Sequence, residues 1–163
     1  MRSEQCGASQ GRSATARGGV AKIFSRRLFV TESSWARKMK LEFNENTGNA
    51  DVYNIVVDDK IVGFLQLRSM PTKSEIMPES FESHIYYEIN ETERGKGYAT
   101  EALKIILNEI RNKGLEGIIL TVSKNNIASE KVILKNNGIL IDEKIGKDDV
   151  VYKKFKIAVP KTF

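Results

Sequence analysis

The sequence predicts a single α+β (mixed α/β) domain, and three observations carry that expectation. β-prone runs come early and late, two helical segments lie between them, and one strand–helix–strand crossover stands in the middle, giving the order β-β-β-α-β-α-β-β. The chain has 163 residues, 40% hydrophobic and 29% charged, enough for one compact core.

The runs "VYNIVV" and "IVGFLQL", from residue 52, flank Asp58, Asp59 and Lys60 and read as a tight hairpin of antiparallel strands. Residues 69–83, with Pro71 and Pro78, read as a long connection. A third β-prone run, "HIYYEIN", spans 84–90. After Gly97 a helix is expected, because Ala99, Leu103, Ile106 and Ile110 fall on one face, with Ala102 and Leu107 beside them. Glu101, Lys104, Asn108 and Arg111 take the opposite face, and Gly114 is the expected C′ cap. "GIILTVS" reads as a strand buried on both faces and parallel to the one before the helix. A shorter helix is expected from Ile127 to Asn136, ended by Asn137 and Gly138. "ILIDEK" and "VVYKKFKI" then form a last hairpin across 146–149, and its 150–157 run is an expected edge that could pair with a second copy.

The net charge of +5 is not spread evenly. Residues 1–38 hold eight Lys/Arg against two Asp/Glu, leaving eighteen against nineteen in 39–163. A balanced body offers no large footprint for phosphates, which argues against nucleic acid as partner of the domain. The Arg- and Ser-rich start reads as a flexible basic extension, and its composition fits a fusion remnant, a native arm or a targeting peptide. The domain proper is expected over 39–163. Cys6 is the only cysteine, so no intrachain disulfide or cysteine-based metal site is expected, which fits a reducing, cytoplasmic setting. The longest apolar runs, such as 118–120, fall far short of the roughly 20 residues of a membrane span, and the start has no signal-peptide core. With one histidine, a Ser-His-Asp arrangement or paired His ligands are not anticipated, and no metal is expected.

The stretch "ETERGKGYATEALKIIL" is the chemical centre of the sequence. A helix start leaves four backbone N–H groups without intrahelical acceptors, and the helix dipole favours an anion there. Gly95 and Gly97 let a phosphate approach the backbone, Arg94 and Lys96 add positive charge, and Thr100 adds a hydroxyl. Spacing rejects the Walker loop, which needs GxxxxGK before Ser or Thr, and the GxGxxG dinucleotide loop, whose last glycine is Thr100 here. What fits is "RGKGYA", read as Arg/Gln-x-x-Gly-x-Gly/Ala from Arg94 through Gly97 to Ala99.

That pattern resembles the acyl-CoA pyrophosphate loop of the GNAT superfamily of N-acetyltransferases. "NNIASEKVILKNNG" (125–138) is similar to the last-helix segment of the ribosomal-protein alanine acetyltransferase branch, with Asn126, Ala128, Ser129, Val132 and Lys135 in the matching places. Uncharacterised predicted acetyltransferases with "RGKGYA", "NIAS" and "KNGG" segments are also similar. The resemblance covers 52–156. It implies a central mixed sheet whose strands 84–90 and 117–122 splay apart to admit the pantetheine arm of acetyl-CoA. The pyrophosphate would lie on Gly95, Lys96, Gly97, Tyr98, Ala99 and Thr100, with Arg94 at the loop start. Asn126 and Ser129 would meet the arm or thioester, and the Ile89 N–H would face the acetyl carbonyl as oxyanion donor.

The reaction implied is direct attack of a primary amine, from a small molecule or a protein N-terminus, on the acetyl thioester. Such an amine must lose a proton, and Glu88 and His84 are the candidate bases on one strand face with Tyr86. Packing or solvation of these side chains is the competing reading, and related sequences usually carry a small residue in the place of Glu88. Two departures from the family stand out. The last helix has Val132 and Ile133 where many relatives place an acidic tyrosine, and nothing before residue 52 matches the usual strand and two helices. "RRLFV" and "TESSWARKMKLEF" offer a strand and one helix, capped by Thr31 or Ser33, as a shorter substitute. The alternatives to an enzyme are a weak or inactive acyl-CoA-binding module and an acidic-surface binder using the basic start.

Overall fold

The computed structural model describes residues 28–30, 39–112 and 115–159. The basic extension expected over 1–38 lies outside these residues except at 28–30, and so does Gly114.

Five antiparallel strands form the first sheet in the order β1-β2-β3-β4-β5: β1 (Leu28–Val30), β2 (Met39–Asn46), β3 (Ala50–Val57), β4 (Lys60–Thr72) and β5 (Ser83–Ile89). The helix expected to run through "MKLEF" is instead strand β2. Met39 and Leu41 are buried at a spacing of two, which suits a pleated strand against a core. The hairpin at Asp58 and Asp59 forms as expected, both with positive φ (49° and 63°), the conformation that matches strand twist in a two-residue turn. The connection expected over 69–83 is shorter, because β4 runs to Thr72, which pairs with Ser83. Pro71 is accommodated there because the ladder is irregular between Leu67 and Thr72.

A 3-10 turn, Glu91–Glu93, leads from β5 to α1 (Tyr98–Asn112). Its apolar face, including Ala102, Leu103, Ile106 and Ile110, is fully buried and packs toward β2 and β5. The second sheet has the order β6-β8-β7, built from β6 (Gly117–Ser123), β7 (Ile139–Ile145) and β8 (Val151–Ala158), all antiparallel. The β8 segment expected as a free edge is therefore the middle strand, hydrogen-bonded on both sides, and β7 is the edge. β6 is not buried on both faces: Ile118, Leu120 and Val122 are buried, and the residues between them are half-buried.

Helix α2 (Ile127–Lys135) follows β6. Its end is a two-bond glycine motif: Gly138 N–H donates to Ile133 C=O at 3.0 Å and Asn137 N–H to Leu134 C=O at 3.1 Å, with Asn137 at φ 61°. No helix among the described residues is long and apolar enough to cross a membrane.

The expected single mixed sheet is thus two antiparallel sheets, and the break falls between β5 and β6. These strands adjoin through side chains: Ile119 N–H donates to His84 Nδ1 at 3.1 Å, and the Thr121 hydroxyl donates to Glu82 C=O at 2.9 Å. The expected neighbour is present, but the pair does not close into a backbone ladder. That break creates the site.

Candidate active site: a cradle at the mouth of a strand gap

The loop between β5 and α1 is shaped by its glycines. Gly95 has φ 75° and Gly97 φ 84°, a region that side chains disfavour, while a Cβ at either would meet nothing within 4 Å. The glycines are needed for backbone direction, and the space over them is open. Glu101 N–H donates to Gly97 C=O at 3.2 Å, making Gly97 the first acceptor of α1. The opening N–H groups of the helix, including those of Ala99 and Thr100, therefore face outward along the axis. They border a cavity of about 570 Å³ whose walls include the end of β5, the glycine loop and one side of α2.

Ten of the twelve sequence-predicted site residues line this cavity: Glu88, Ile89, Arg94, Gly95, Gly97, Tyr98, Ala99, Thr100, Asn126 and Ser129. Lys96 and His84 do not. Lys96 turns back to Glu93 at 2.7 Å, and the other oxygen of Glu93 meets Lys60 at 2.7 Å. Lys96 is therefore engaged with Glu93 rather than lining the cavity, whose walls carry Arg94, Lys131 and Lys135 as cations. Arg94 donates from Nε to Ile89 C=O at 3.0 Å, which fixes the loop to the end of β5 and leaves its terminal nitrogens toward the cavity and Glu91, 3.9 Å away.

Two lysines hold the Glu93 carboxylate, and hydrogen bonds from Lys60 and then Lys96 lower its pKa from the ordinary 4.5 to about 2. A depressed carboxylate pKa adds stability that is complete above about pH 4.5 and disappears as pH falls through about 2. Denaturant midpoints of wild type and Glu93→Gln are expected to differ at pH 7 and to converge toward pH 2; a gap independent of pH contradicts this.

On β5, His84, Tyr86 and Glu88 alternate with buried Ile85 and Ile89, so the first three share a face as expected. The Tyr86 hydroxyl donates to Glu88 Oε2 at 3.2 Å. Nδ1 of His84 accepts from β6, so its ring sits at the sheet junction. The ladder also orients Ile89. Asn90 N–H donates to Val62 C=O at 2.9 Å, and Gly63 stands opposite Ile89. In antiparallel pairing, hydrogen-bonded and non-bonded pairs alternate, so the Ile89 N–H points away from β4 into the gap.

Asn126 caps α2, its Oδ1 accepting from Ser129 N–H at 3.1 Å. Sequence reasoning missed Asn136, which was read only as a helix end. Its buried amide donates to Thr100 C=O at 3.1 Å and Val132 C=O at 3.0 Å, tying the first turn of α1 to α2. Asn136→Ala is expected to lower stability by about 1–3 kcal/mol, because a buried carbonyl loses its donor. Acetyl-CoA affinity should fall several-fold with it, since both cavity walls lose their tie. Unchanged denaturant midpoint and affinity would contradict that role.

The match to a family model decides the affiliation: residues 22–138 fit the acetyltransferase (GNAT) domain. The chain belongs to the GNAT acetyltransferase family. Solved structures agree in fold. A structure of RimL, the ribosomal L7/L12 α-N-protein acetyltransferase, in complex with coenzyme A is 18% identical, with TM-score 0.54, covering 69% of this chain and 63% of its own. A Salmonella typhimurium acetyl transferase described as modifying the N-terminal serine of 50S ribosomal subunit protein L7/L12 gives 18%, 0.54, 69% and 66%. The microcin C7 self-immunity acetyltransferase MccE, in complex with acetyl-CoA and AMP, gives 16%, 0.54, 69% and 62%. The GNAT chain described here thus spans less than two thirds of the length of each. No curated protein sequence matches it significantly.

Proposed function

We propose that this GNAT domain transfers the acetyl group of acetyl-CoA to a primary amine by direct attack. The observation that carries the reading is the coincidence of two features at one end of the fold. The glycine cradle opening α1 and the end of β5, whose far edge forms no backbone ladder with β6, share one cavity walled on the other side by α2. An acyl-CoA has a matching shape, with a pyrophosphate for the cradle and a narrow amide-bearing arm for the gap.

In this reading Gly95, Lys96, Gly97, Tyr98, Ala99 and Thr100 present backbone N–H groups to the pyrophosphate, and Arg94 adds charge at its edge. Asn126 and Ser129 hold the far side of the arm. The Ile89 N–H stabilises charge developing on the acetyl oxygen. Glu88 accepts the proton of the attacking amine, because its carboxylate borders the cavity while the His84 nitrogen that could serve is occupied by β6. The acceptor class is a primary amine, with a protein N-terminus favoured because two of the fold relatives act on the N-terminus of ribosomal protein L7/L12. The setting we propose is cytoplasmic, where acetyl-CoA is abundant.

The test is release of CoA thiol from acetyl-CoA by the full chain with three acceptors: a peptide with a free N-terminus, the same peptide blocked, and a small polyamine. Release that depends on a free amine supports the transferase. Saturable acetyl-CoA binding without acceptor-dependent release would make the domain an acyl-CoA-binding module instead.

A further inference from the structure

The acceptor side of the site is set by the alternation of two neighbouring strands. In "FLQLR" of β4, Leu65 and Leu67 are buried, while Phe64, Gln66 and Arg68 fall on the other face and are half-buried. Register puts Phe64 opposite Glu88 and Gln66 opposite Tyr86, so these β4 side chains share the face of the proposed base. The ring centroids of Phe64 and Tyr86 are 5.8 Å apart and make an apolar floor beside Glu88. Beyond that floor Arg68 donates from a terminal nitrogen to Gln66 Oε1 at 3.2 Å. Among the described residues no carboxylate pairs with Arg68, whereas Lys40, Lys60, Lys73 and Lys96 each hold one at 2.7 or 2.8 Å. Partial burial and the Glu88 carboxylate raise the Tyr86 pKa while the Arg68 charge lowers it, as expected of a phenol lying between the two. The face thus carries an anion where it meets the cavity, an aromatic middle and a cation at its far end.

We propose that this face seats the acceptor as an extended peptide N-terminus, with its free amine at Glu88 and an acidic side chain of its third residue on Arg68. The inference rests on the transferase reading above and deepens it to a substrate class. The spacing follows from strand geometry: Gln66 and Arg68 stand two and four residues beyond Phe64, roughly 7 and 13 Å along β4. Because Arg68 bonds the Gln66 side chain, its guanidinium lies between those limits. In an extended chain the third residue is also about 7 Å from the first, and its side chain projects to the same side. A carboxylate there reaches onward to the guanidinium. The first residues of the peptide lie over the Phe64 and Tyr86 rings. Gln66 Oε1 is taken by Arg68, which leaves the Gln66 NH2 to donate to a peptide carbonyl. Charge fixes the direction of docking, since the reverse orientation would set carboxylate on Glu88 and ammonium on Arg68.

The experiment measures kcat/KM for CoA thiol release by the full chain with lysine-free peptides amidated at the C-terminus, so that the free N-terminus is their sole primary amine. The peptides carry Glu, Gln or Arg at the third residue, or Glu moved to the sixth. Wild type is expected to prefer Glu over Gln at the third residue by about five-fold, chiefly through KM, the upper scale of an exposed ion pair, and the preference should shrink as salt rises. Glu at the sixth residue should behave as Gln does. Arg68→Glu should invert the order and favour Arg over Glu, while calorimetric titration of acetyl-CoA reports that the variant is folded. Equal rates with all four peptides, or a Glu preference that persists in folded Arg68→Glu, overturns the proposal and leaves the transferase reading intact. Release with a small polyamine but with no peptide does the same. Acetyl-CoA binding with release from none of these amines overturns the transferase reading itself, and this one with it.

Discussion

Gly63→Ala is expected to lower stability by about 3 kcal/mol and to weaken acetyl-CoA binding at the same time. A Cβ at Gly63 would stand 2.2 Å from the Glu88 carbonyl oxygen and 3.0 Å from the Ile89 Cα. Both are backbone atoms, so no side chain can rotate out of the way. Either β4 or β5 must move, and the end of β5 carries both the base candidate and the N–H aimed into the gap. A substitution on a neighbouring strand should therefore damage a site it does not line. Denaturant unfolding with acetyl-CoA titration checks both effects. A variant within about 0.5 kcal/mol of wild type and with unchanged affinity would show that β5 tolerates displacement there.

Glu88→Gln is expected to reduce kcat by about 10²–10⁴-fold with little change in KM for acetyl-CoA. Gln keeps the size and can still accept from Tyr86, but it cannot take a proton from the attacking amine. Amines have ordinary pKa values of about 7.7–8.0 at a protein N-terminus and about 10.4 on lysine, so the loss should be greatest with lysine-like acceptors. An unchanged rate across pH would remove Glu88 from the mechanism.

The parts legible in the sequence were local in the chain. "RGKGYA" marks the cradle because a glycine loop and a helix start are both short-range signals, and "DDK" between β-prone runs marks a hairpin for the same reason. "NNIASEKVILKNNG" marks α2 from its capping Asn126 to the glycine motif at Gly138. What escaped needed distant residues. Lys60 reaches Glu93 across 33 positions and shares its carboxylate with Lys96; Asn136 reaches Thr100 across 36 and braces the cradle. Strand order is likewise non-local, which is why β8 was expected at an edge though β7 and β6 enclose it. The β2 error had a readable cure. Met39, Leu41 and Phe43 alternate at a period of two, and helical character assumed from the preceding residues overrode that signal. Gly63 was readable too, as a lone glycine inside a strand pattern, a sign of close backbone approach.

The central claim is that the glycine loop and the strand gap together hold an acyl-CoA. Its most direct test is calorimetric titration of acetyl-CoA into the full wild-type chain and into Gly97→Trp, with circular dichroism confirming that both are folded. The indole would occupy the open space over Gly97, where the pyrophosphate is expected. Saturable one-to-one binding by wild type that is lost in the variant is the predicted result. Absence of binding by folded wild type, or equal binding by both proteins, would contradict the account.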